Sequence, residues 1–268
     1  MNEPEPAVGP APEHEHEPAH EPAGLPTLDL QPTDRLLVLT GAGISVESGL
    51  RTFRGPDGLW EGEPVEAVAT PEGFDADPDR VWTFYSRLRR VVRGAEPNAA
   101  HLALAEVERR LGGNFLLITQ NVDGLHQRAG SERVGEIHGS LWRTRCSRCD
   151  RPAFADASEP ATTPRCDRCG GLLRPDIVWF GEAVDAESDR QTRAFVRAAF
   201  QTQVRLVFLA VGTSGAVWPA SGFARLAANF GAETWLANLE AADNDSDFRH
   251  LVRGPATEVV PALLAAPR

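Results

Sequence analysis

The sequence predicts an α/β fold in which a doubly wound parallel sheet carries a small inserted module. Short apolar runs typical of buried strands alternate with segments whose apolar residues recur at helical spacing, the pattern of parallel βαβ construction with both sheet faces covered. The first of these runs leads directly into a glycine-rich turn. Residues 142–175 break the alternation, because they are rich in Arg, Pro and Cys and show little helix or strand periodicity. A chain of 268 residues is long enough for one large domain with such an insert.

Residues 1–33 are predicted to form a disordered acidic tail. They are rich in Pro, Glu, Ala and His and have too few large apolar residues to offset the entropy of ordering. The chain has a net charge of -11, and its first 34 residues hold eight acidic residues and no basic one. The remainder carries 30 acidic residues against 27 arginines, so the acidity belongs mainly to the tail. A duplex-binding protein normally has a basic stripe, and we therefore expect no direct contact with nucleic acid.

The N-terminal sequence and the length of the apolar stretches argue against export and membrane insertion. The N-terminus lacks the basic start and apolar run of a signal peptide, and the longest apolar stretches fall far short of the ~20 residues that span a bilayer. Four cysteines in such a chain are expected to stay reduced. We expect a cytoplasmic monomer with no membrane association.

From Asp34 onward the composition is that of a folded domain. The segment DRLLVLTGAG predicts a buried strand and a tight turn into a helix. Residues 78–93 and 97–111 have helical periodicity, and Gly112 and Gly113 mark the end of the second helix. Three further apolar runs predict buried strands: 115–122, 204–212 and 233–240.

The glycine-rich turn lies in the motif LTGAGISVESG, residues 39–49. A strand that ends in Gly41-Ala42-Gly43 and opens a helix lets the backbone approach a pyrophosphate, which the N–H groups at the helix start then bind. The usual Rossmann fingerprint has a third glycine and an acid after the second strand, and this spacing does not match it cleanly. The turn alone is therefore weak support for nucleotide binding.

Four cysteines predict a structural zinc site. Cys146 and Cys149 form one C-x2-C pair, and Cys166 and Cys169 form a second pair, with sixteen residues between the two pairs. Two such pairs place four thiolates tetrahedrally around one zinc ion, and neighbouring arginines favour the thiolate form. Four protein ligands leave no open position, so the zinc is expected to be structural. A redox role is disfavoured because the pairs lie in the irregular insert.

A third group of polar residues follows a predicted strand. Gln120, Asn121 and Asp123, in the motif TQNVDGLH, lie just past the end of a buried strand, where open α/β sheets bind their ligands. His138, in EIHGS, follows a short apolar stretch, and we expect it in a loop as the general base. Two other histidines are interpreted as structural: His101 and His126.

Taken together, the motifs resemble those of the sirtuins, a family of NAD-dependent protein deacylases. GAGIS, GLRTFRG, TQNVDGLH, IHG, the two C-x2-C pairs, VWFGE, VGTSG and ANLE occur in this order from about residue 35 to the C-terminus. The variant GLRTFR is similar to the bacterial class III branch. So many motifs in one order make the resemblance highly specific.

The resemblance implies an NAD site between two domains. A Rossmann-like domain would comprise residues 34–141 and 176–268, and a small domain would hold the zinc module, 142–175. The residues matching those around the phosphates are Gly41, Ala42, Gly43 and Ser45. Those on a loop covering the nicotinamide end are Phe53, Arg54 and Trp60. Those at the nicotinamide ribose and carboxamide are Gln120, Asn121 and Asp123. Those on the adenosine side are Gly212, Thr213, Ser214, Asn238, Leu239, Glu240 and Ala256.

The resemblance also implies a reaction and a substrate. An acylated lysine of a protein or peptide would give free lysine, nicotinamide and 2′-O-acyl-ADP-ribose, with His138 as general base and Asn121 as the second catalytic residue. The substrate would lie extended between VWFGE, through Val178, Phe180 and Gly181, and the segment 213–218.

The acyl pocket departs from the class III pattern. Relatives that remove succinyl or malonyl groups have a small Ala and a Y-x-x-R pair, and here Ala69 and Tyr85 match but Leu88 replaces the Arg. Arg87 and Arg89 come one position before and one position after Leu88, so each points about 100° around the helix from Leu88. We expect removal of acetyl and longer neutral acyl groups in a roomy, apolar pocket, with weak desuccinylation, unless Arg87 or Arg89 reaches in from the side.

Three alternatives to this activity remain. The chain could be a desuccinylase or demalonylase, a mono-ADP-ribosyltransferase, or a non-catalytic NAD or ADP-ribose sensor. The presence of His138 favours deacylation over ADP-ribosyl transfer, because only deacylation needs a base for 2′-hydroxyl attack. A sensor would be expected to have lost Asn121, Asp123 or His138, and all three are present.

Overall fold

The computed structural model describes residues 25–52 and 63–266, which form two sheets and their covering helices. The strands are β1 (Arg35–Thr40), β2 (Phe115–Thr119), β3 (Val134–Glu136), β4 (Gly139–Cys146), β5 (Phe154–Ala155), β6 (Leu173–Ile177), β7 (Leu206–Val211), β8 (Glu233–Asn238) and β9 (His250–Arg253). The helices are α1 (Val65–Val68), α2 (Pro71–Ala76), α3 (Pro78–Arg93), α4 (Ala99–Leu111), α5 (Leu125–Arg128), α6 (Ala186–Thr202), α7 (Phe223–Asn229) and α8 (Ala256–Leu264).

The larger sheet is parallel throughout, with the strand order β3-β2-β1-β7-β8-β9. Its central strand β1 is apolar on both faces. Leu36 and Val38 pack with α4 and α8 on one side of the sheet, whereas Leu37 and Leu39 pack with α6 and α7 on the other. Since successive side chains of a strand point to opposite faces, this apolar run serves two cores at once. The predicted doubly wound α/β fold is confirmed.

The helices begin and end where local sequence signals place them. Asp77 caps α3 by accepting a hydrogen bond from the Arg80 N–H at 3.0 Å, and Asn98 caps α4 in the same way at Ala100. Gly112 ends α4. The predicted strands are shorter than expected at their carboxyl ends, because the residues that follow β2 turn away as loops.

The second unit is a three-stranded antiparallel sheet in the order β5-β4-β6. Helices α1 to α3 share a core with it, in which Trp82, Phe84 and Tyr85 pack with Leu141 and Trp179. The expected division placed all of residues 34–141 in the large domain. The structure instead places α1 to α3 against the small sheet, because the broad apolar face of α3 covers β4 and β6.

The N-terminal boundary also differs from the expected one. Leu28 and Leu30, assigned to the tail, are 2% and 5% exposed and belong to the core beneath α4 and α8. The Leu28 N–H donates to the Leu263 carbonyl at 2.8 Å, which fixes this segment along α8. The rest of the predicted tail, 1–24, lies outside the described residues. Within the described part of the chain, no helix is both long and apolar enough to cross a membrane.

Candidate active site

A cavity of about 670 Å³ lies between the two units, at the carboxyl ends of β1, β2, β7 and β8. Ligands of open α/β sheets bind at this edge. Both units contribute to its walls, since the residues after β6 face the loops of the large sheet. Eighteen of the predicted site residues line it: Gly41, Ala42, Gly43, Ala69, Tyr85, Gln120, Asn121, His138, Val178, Phe180, Gly181, Gly212, Thr213, Ser214, Asn238, Leu239, Glu240 and Ala256.

The glycine-rich turn leads from β1 into a helix as expected, and this helix, Ala42–Ser48, is a 3₁₀ helix. Its glycines allow a second loop to approach. A Cβ on Gly41 would lie 2.6 Å from the Gly212 carbonyl oxygen, and a Cβ on Gly43 would lie 2.6 Å from the Gly212 Cα. The Gly43 N–H donates to the Gly212 carbonyl at 2.8 Å. Side chains are therefore excluded here because two backbone loops touch, whether or not a pyrophosphate is bound.

Behind this turn, three buried side chains form a hydrogen-bonded chain. The Asn121 amide donates to the Gly41 carbonyl at 3.1 Å and to the Ser45 hydroxyl at 3.2 Å, and Ser45 donates to the Asp123 carboxylate at 2.8 Å. Ser45 and Asp123 line an adjoining pocket of about 20 Å³ and not the main cavity. Burial raises the pKa of Asp123, although hydrogen bonds from Leu125 and Ser45 oppose the shift.

A second polar network holds the ends of β1 and β2. Thr40 donates to the Thr119 hydroxyl at 2.8 Å, and Thr119 accepts the Asn121 N–H at 3.0 Å. The His126 Nε2 lies 2.9 Å from the Thr40 hydroxyl, with the His101 ring packed against it at a centroid distance of 4.8 Å. Burial lowers the pKa of both histidines, to about 4 for His101. Both are therefore neutral near pH 7, and their position behind the site agrees with the structural interpretation.

His138 is placed at the cavity with its ring orientation fixed. Its Nδ1 lies 3.0 Å from the Gln120 carbonyl oxygen. Since a carbonyl only accepts, Nδ1 carries the proton and Nε2 keeps a lone pair. Burial lowers the pKa of His138 below its ordinary value of 6.5, although the Gln120 carbonyl acts in the opposite direction. A neutral, oriented imidazole of this kind can accept a proton at neutral pH.

On the other side of the cavity, Asn238 clamps the loop after β7. Its amide donates to the Thr213 carbonyl at 2.7 Å, and its side-chain oxygen accepts the Thr213 N–H at 3.1 Å. Gln120 donates to the Thr213 hydroxyl at 3.0 Å, so two of the predicted cofactor residues position a third. Leu239 is 64% exposed, and Ala256 begins α8 at the cavity wall.

No arginine of α3 reaches the Tyr85–Leu88 face of that helix. Arg89 is fully buried and donates to the Leu141 carbonyl at 2.8 Å and to the Ser158 carbonyl, while Arg87 is exposed beside the Phe84 ring. The Tyr85 hydroxyl accepts the Trp179 indole N–H at 2.9 Å, and burial raises its pKa, so it stays protonated. Leu88 is 5% exposed and lines the adjoining pocket of about 20 Å³, whereas Ala69 and Tyr85 line the main cavity, so the three predicted acyl-pocket residues do not share one pocket.

Another arginine, Arg174, lies near Tyr85 but is already paired with a carboxylate. Its guanidinium donates to both oxygens of Glu182, at 2.6 and 2.9 Å, and packs 3.2 Å from the centre of the Trp179 ring. The Trp179 N–H also donates to Glu182. This arrangement fixes the segment after β6 and neutralises the arginine.

The four cysteines form a cluster suited to one metal ion. Their sulfur atoms all lie within 4.8 Å of one another, with Cys146 and Cys169 at 3.5 Å and Cys149 and Cys166 at 3.9 Å. Zinc–sulfur bonds of about 2.3 Å in a tetrahedron require sulfur–sulfur separations near these values. Backbone N–H groups of Arg148 and Cys149 point at the Cys146 sulfur and lower its pKa, which favours the thiolate. The residues therefore fit a structural zinc ion.

Some residues that line the cavity were not named individually by the sequence analysis. Val217 and Trp218 belong to the predicted substrate segment 213–218, whereas Val46 and Glu47 of the 3₁₀ helix were not predicted. Their proximity to the glycine motif was the available signal, but no side-chain chemistry distinguished them. The predicted cofactor residues on the covering loop lie outside the described residues: Phe53, Arg54 and Trp60.

Comparisons with known proteins agree with this architecture. A model of the Sir2 family matches residues 41–219. A protein of Pyrobaculum aerophilum named NAD-dependent protein deacylase 2 is 47% identical over 228 residues, covering 85% of this chain and 89% of that protein. An Escherichia coli NAD-dependent protein deacylase is 47% identical over 230 residues, covering 85% and 80%. A crystal structure of a Sir2 homolog–NAD complex is similar with a TM-score of 0.77 at 40% identity, covering 86% of this chain and 88% of that one. The chain belongs to the Sir2 family.

Proposed function

We propose that this protein is an NAD-dependent lysine deacylase that prefers acetyl and longer neutral acyl groups over succinyl. The observation that carries the proposal is the placement of a neutral, oriented His138 imidazole in the same cavity as the glycine turn of residues 41–43 and the buried Tyr85. The names of the relatives at 45–47% identity support the same activity.

The residues lining the cavity fit NAD. The glycine turn of residues 41–43 would lie against its phosphates, because the turn lines the cavity at the carboxyl edge of a parallel sheet, and the clamped loop of Thr213 and Ser214 would line the adenosine side. When bound, NAD supplies an electrophilic ribose carbon with nicotinamide as its leaving group, and a neighbouring 2′-hydroxyl.

The Asn121–Ser45–Asp123 chain would fix the nicotinamide end. Ser45 and Asp123 are buried, so only Asn121 reaches both the main cavity and the adjoining pocket. Its amide already donates to Gly41 and Ser45, which leaves its carbonyl oxygen to orient a bound group. We assign Asn121 the task of holding the reacting ribose and carboxamide in one orientation.

His138 would act as general base. Its Nε2 carries the free lone pair, and its lowered pKa keeps the ring neutral at neutral pH. A base in this state can take a proton from a ribose hydroxyl without first losing one of its own. The Gln120 carbonyl that holds Nδ1–H stabilises the imidazolium formed when Nε2 is protonated.

The acyl preference rests on the charges around Tyr85. Among the arginines of α3 and β6 that the structure describes near Tyr85, none is available as a counter-ion for a succinyl carboxylate, because Arg89 is bound to carbonyls of the small unit, Arg87 faces solvent and Arg174 is paired with Glu182. Burying an unpaired carboxylate costs several kcal/mol. A neutral acyl group has no such cost.

The substrate would be an extended peptide lying between Val178–Gly181 and residues 213–218. Both segments line the cavity, and an added strand can bind through backbone hydrogen bonds with little dependence on sequence. The zinc site would fix the small unit and take no part in the chemistry, because four cysteines fill the coordination sphere.

A panel of acyl-lysine peptides tests the proposal. Acetyl-, butyryl- and succinyl-lysine versions of one peptide would be incubated with NAD and the products identified by mass spectrometry. We expect free lysine, nicotinamide and O-acyl-ADP-ribose, with kcat/KM higher for acetyl than for succinyl. A preference for succinyl would refute the acyl assignment. ADP-ribose attached to protein would indicate a transferase, and NAD binding without any turnover would indicate a sensor.

A further inference from the structure

Trp218 differs from the other tryptophans that the structure describes. It is 75% exposed, whereas Trp82, Trp179 and Trp235 are 0–7% exposed and Trp142 is half-buried. An exposed indole at the wall of a binding cavity offers a large apolar face that a bound ligand can cover.

The ring is seated on a glycine. A Cβ on Gly222 would lie 2.6 Å from the Trp218 Cζ3 atom and 3.0 Å from its Cη2 atom, so the indole lies directly over the Gly222 backbone. Gly222 has φ -80° and ψ -10°, ordinary right-handed values that any residue adopts. The backbone therefore does not require glycine here, and the missing side chain serves to seat the ring.

The segment that carries the ring is fixed by backbone hydrogen bonds. The Ser221 N–H donates to the Val217 carbonyl and the Gly222 N–H to the Pro219 carbonyl, both at 2.9 Å. The Asn244 amide donates to the Ser221 carbonyl at 3.2 Å. A ring held this way loses little conformational entropy when a ligand covers it.

The position of Trp218 is at the mouth of the cavity. Ala69 and Tyr85, which would enclose the acyl group, are both 3% exposed, while Trp218 and Phe180, which line the same cavity, are 75% and 47% exposed. An acyl-lysine reaching Tyr85 would enter from this exposed side. Trp218 would then meet a neighbouring side chain of the substrate.

The charges of the cavity wall favour a cationic neighbour. Among the described residues that line it, the charged ones are Glu47, Glu182 and Glu240, and none is an arginine. Glu182 is neutralised by Arg174, and Arg253, near the Glu240 backbone, is paired with Asp245. Glu47 and Glu240 are exposed, so the described wall of the cavity as a whole carries a net negative charge, with Glu240 on its predicted adenosine side. A guanidinium stacked on an indole face in such surroundings gains a cation–π interaction.

We propose that Trp218, seated on Gly222, is a specificity residue that selects substrates with an arginine within two residues of the acyl-lysine. This inference rests on the proposed deacylase function. A cation–π contact at an exposed site is expected to raise kcat/KM about two- to fivefold for Arg over Ala, mainly through KM. Glu at the same position is expected to be worse than Ala.

Peptide kinetics test the inference. Acetyl-lysine peptides with Arg, Ala or Glu at each of the two positions on either side of the lysine would be compared for the intact chain, Trp218→Ala, Trp218→Phe and Gly222→Ala. The Arg-to-Ala ratio of kcat/KM should fall to about one in Trp218→Ala and stay above one in Trp218→Phe. The Arg-to-Ala ratio should also drop in Gly222→Ala, because the added Cβ displaces the ring although the indole is still present.

A glycine elsewhere provides the matched control. Gly94 has φ -83° and ψ -10°, and a Cβ there would make only an ordinary 3.6 Å contact. Gly94→Ala should keep the Arg-to-Ala ratio of the intact chain. Equal ratios in the intact chain and in Trp218→Ala would overturn the inference while leaving the deacylase proposal standing. No turnover of any peptide by the intact chain would refute the deacylase proposal and this inference with it.

Discussion

Replacing Leu88 by Arg should convert the enzyme towards succinyl-lysine. Leu88 lies three residues after Tyr85 on α3, so the two side chains share one face of the helix, with Tyr85 at the main cavity and Leu88 at the adjoining pocket. A guanidinium at this position can bind a succinyl carboxylate beside the Tyr85 hydroxyl, which burial keeps protonated as a donor.

The magnitude follows from the interaction that is gained. A hydrogen bond to a charged group contributes about 1.5–3 kcal/mol, which corresponds to roughly a 10- to 150-fold rise in kcat/KM for the succinyl peptide. The larger side chain must fit a pocket of about 20 Å³, so overpacking should cost roughly 1–3 kcal/mol of folding stability. Turnover of the acetyl peptide should fall, because the new charge lacks a partner when acetyl is bound.

The assay compares kcat/KM for acetyl and succinyl peptides in the intact chain, Leu88→Arg, Leu88→Met and Arg87→Ala. Leu88→Met keeps the apolar volume, and Arg87→Ala removes an exposed arginine of the same helix, so neither should change the succinyl-to-acetyl ratio. If Leu88→Arg folds with bound zinc but leaves that ratio unchanged, the assignment of Leu88 to the acyl wall is wrong. If Arg87→Ala abolishes succinyl turnover, Arg87 and not Leu88 decides the specificity.

The remaining predictions concern the base, the metal, a buried histidine and the N-terminal segment. His138→Ala should lower kcat about 10²- to 10⁴-fold with NAD binding retained, and the acid limb of the kcat profile of the intact chain should lie below pH 6.5; near-full turnover of the variant would refute the mechanism. Cys146→Ser should release zinc, measured by elemental analysis, and lower the melting temperature, whereas protein purified without chelator that holds no zinc would contradict the site. His101 has a pKa of about 4 in the folded protein and 6.5 in the unfolded chain, so the unfolded chain binds more protons between these pH values. The free energy of unfolding, measured in urea, should therefore decrease by about 2 kcal/mol from pH 7 to pH 5. The decrease should be smaller in His101→Gln. Deleting residues 1–24 should leave the melting temperature unchanged, whereas deleting 1–30 removes Leu28 and Leu30 from the core and should lower it; equal effects would contradict their burial.

Several features of the fold could be predicted because they depend on residues close together in the chain. The run Leu36–Leu39 has apolar side chains at successive positions, and a strand with this pattern needs cover on both faces. The end of α4 follows from Gly112, and the cap of α3 from Asp77. The cysteine spacing likewise restricted the zinc ligands to one cluster.

The candidate site was predictable in part for the same reason. Asn121 and His138 each follow a strand, and parallel strands bring their carboxyl ends together, so adjacency in space follows from the fold class. The role of the glycines could not be predicted from the local sequence. Gly43 contacts Gly212, 169 residues later in the chain, and no local pattern reports that contact.

The hydrogen-bond partners and burial of some side chains depend on residues distant in sequence, and these followed only from the tertiary structure. Arg89 follows Tyr85 by four residues, so helical spacing alone would leave it near the Tyr85 face. Its actual position depended on carbonyls 52 and 69 residues further on, at Leu141 and Ser158. The burial of Leu28 likewise depended on a contact with Leu263 at the other end of the chain. Composition and periodicity determine which faces must be buried and which chemistry is available. The long-range packing that brings these groups together determines which charges are already neutralised by a partner.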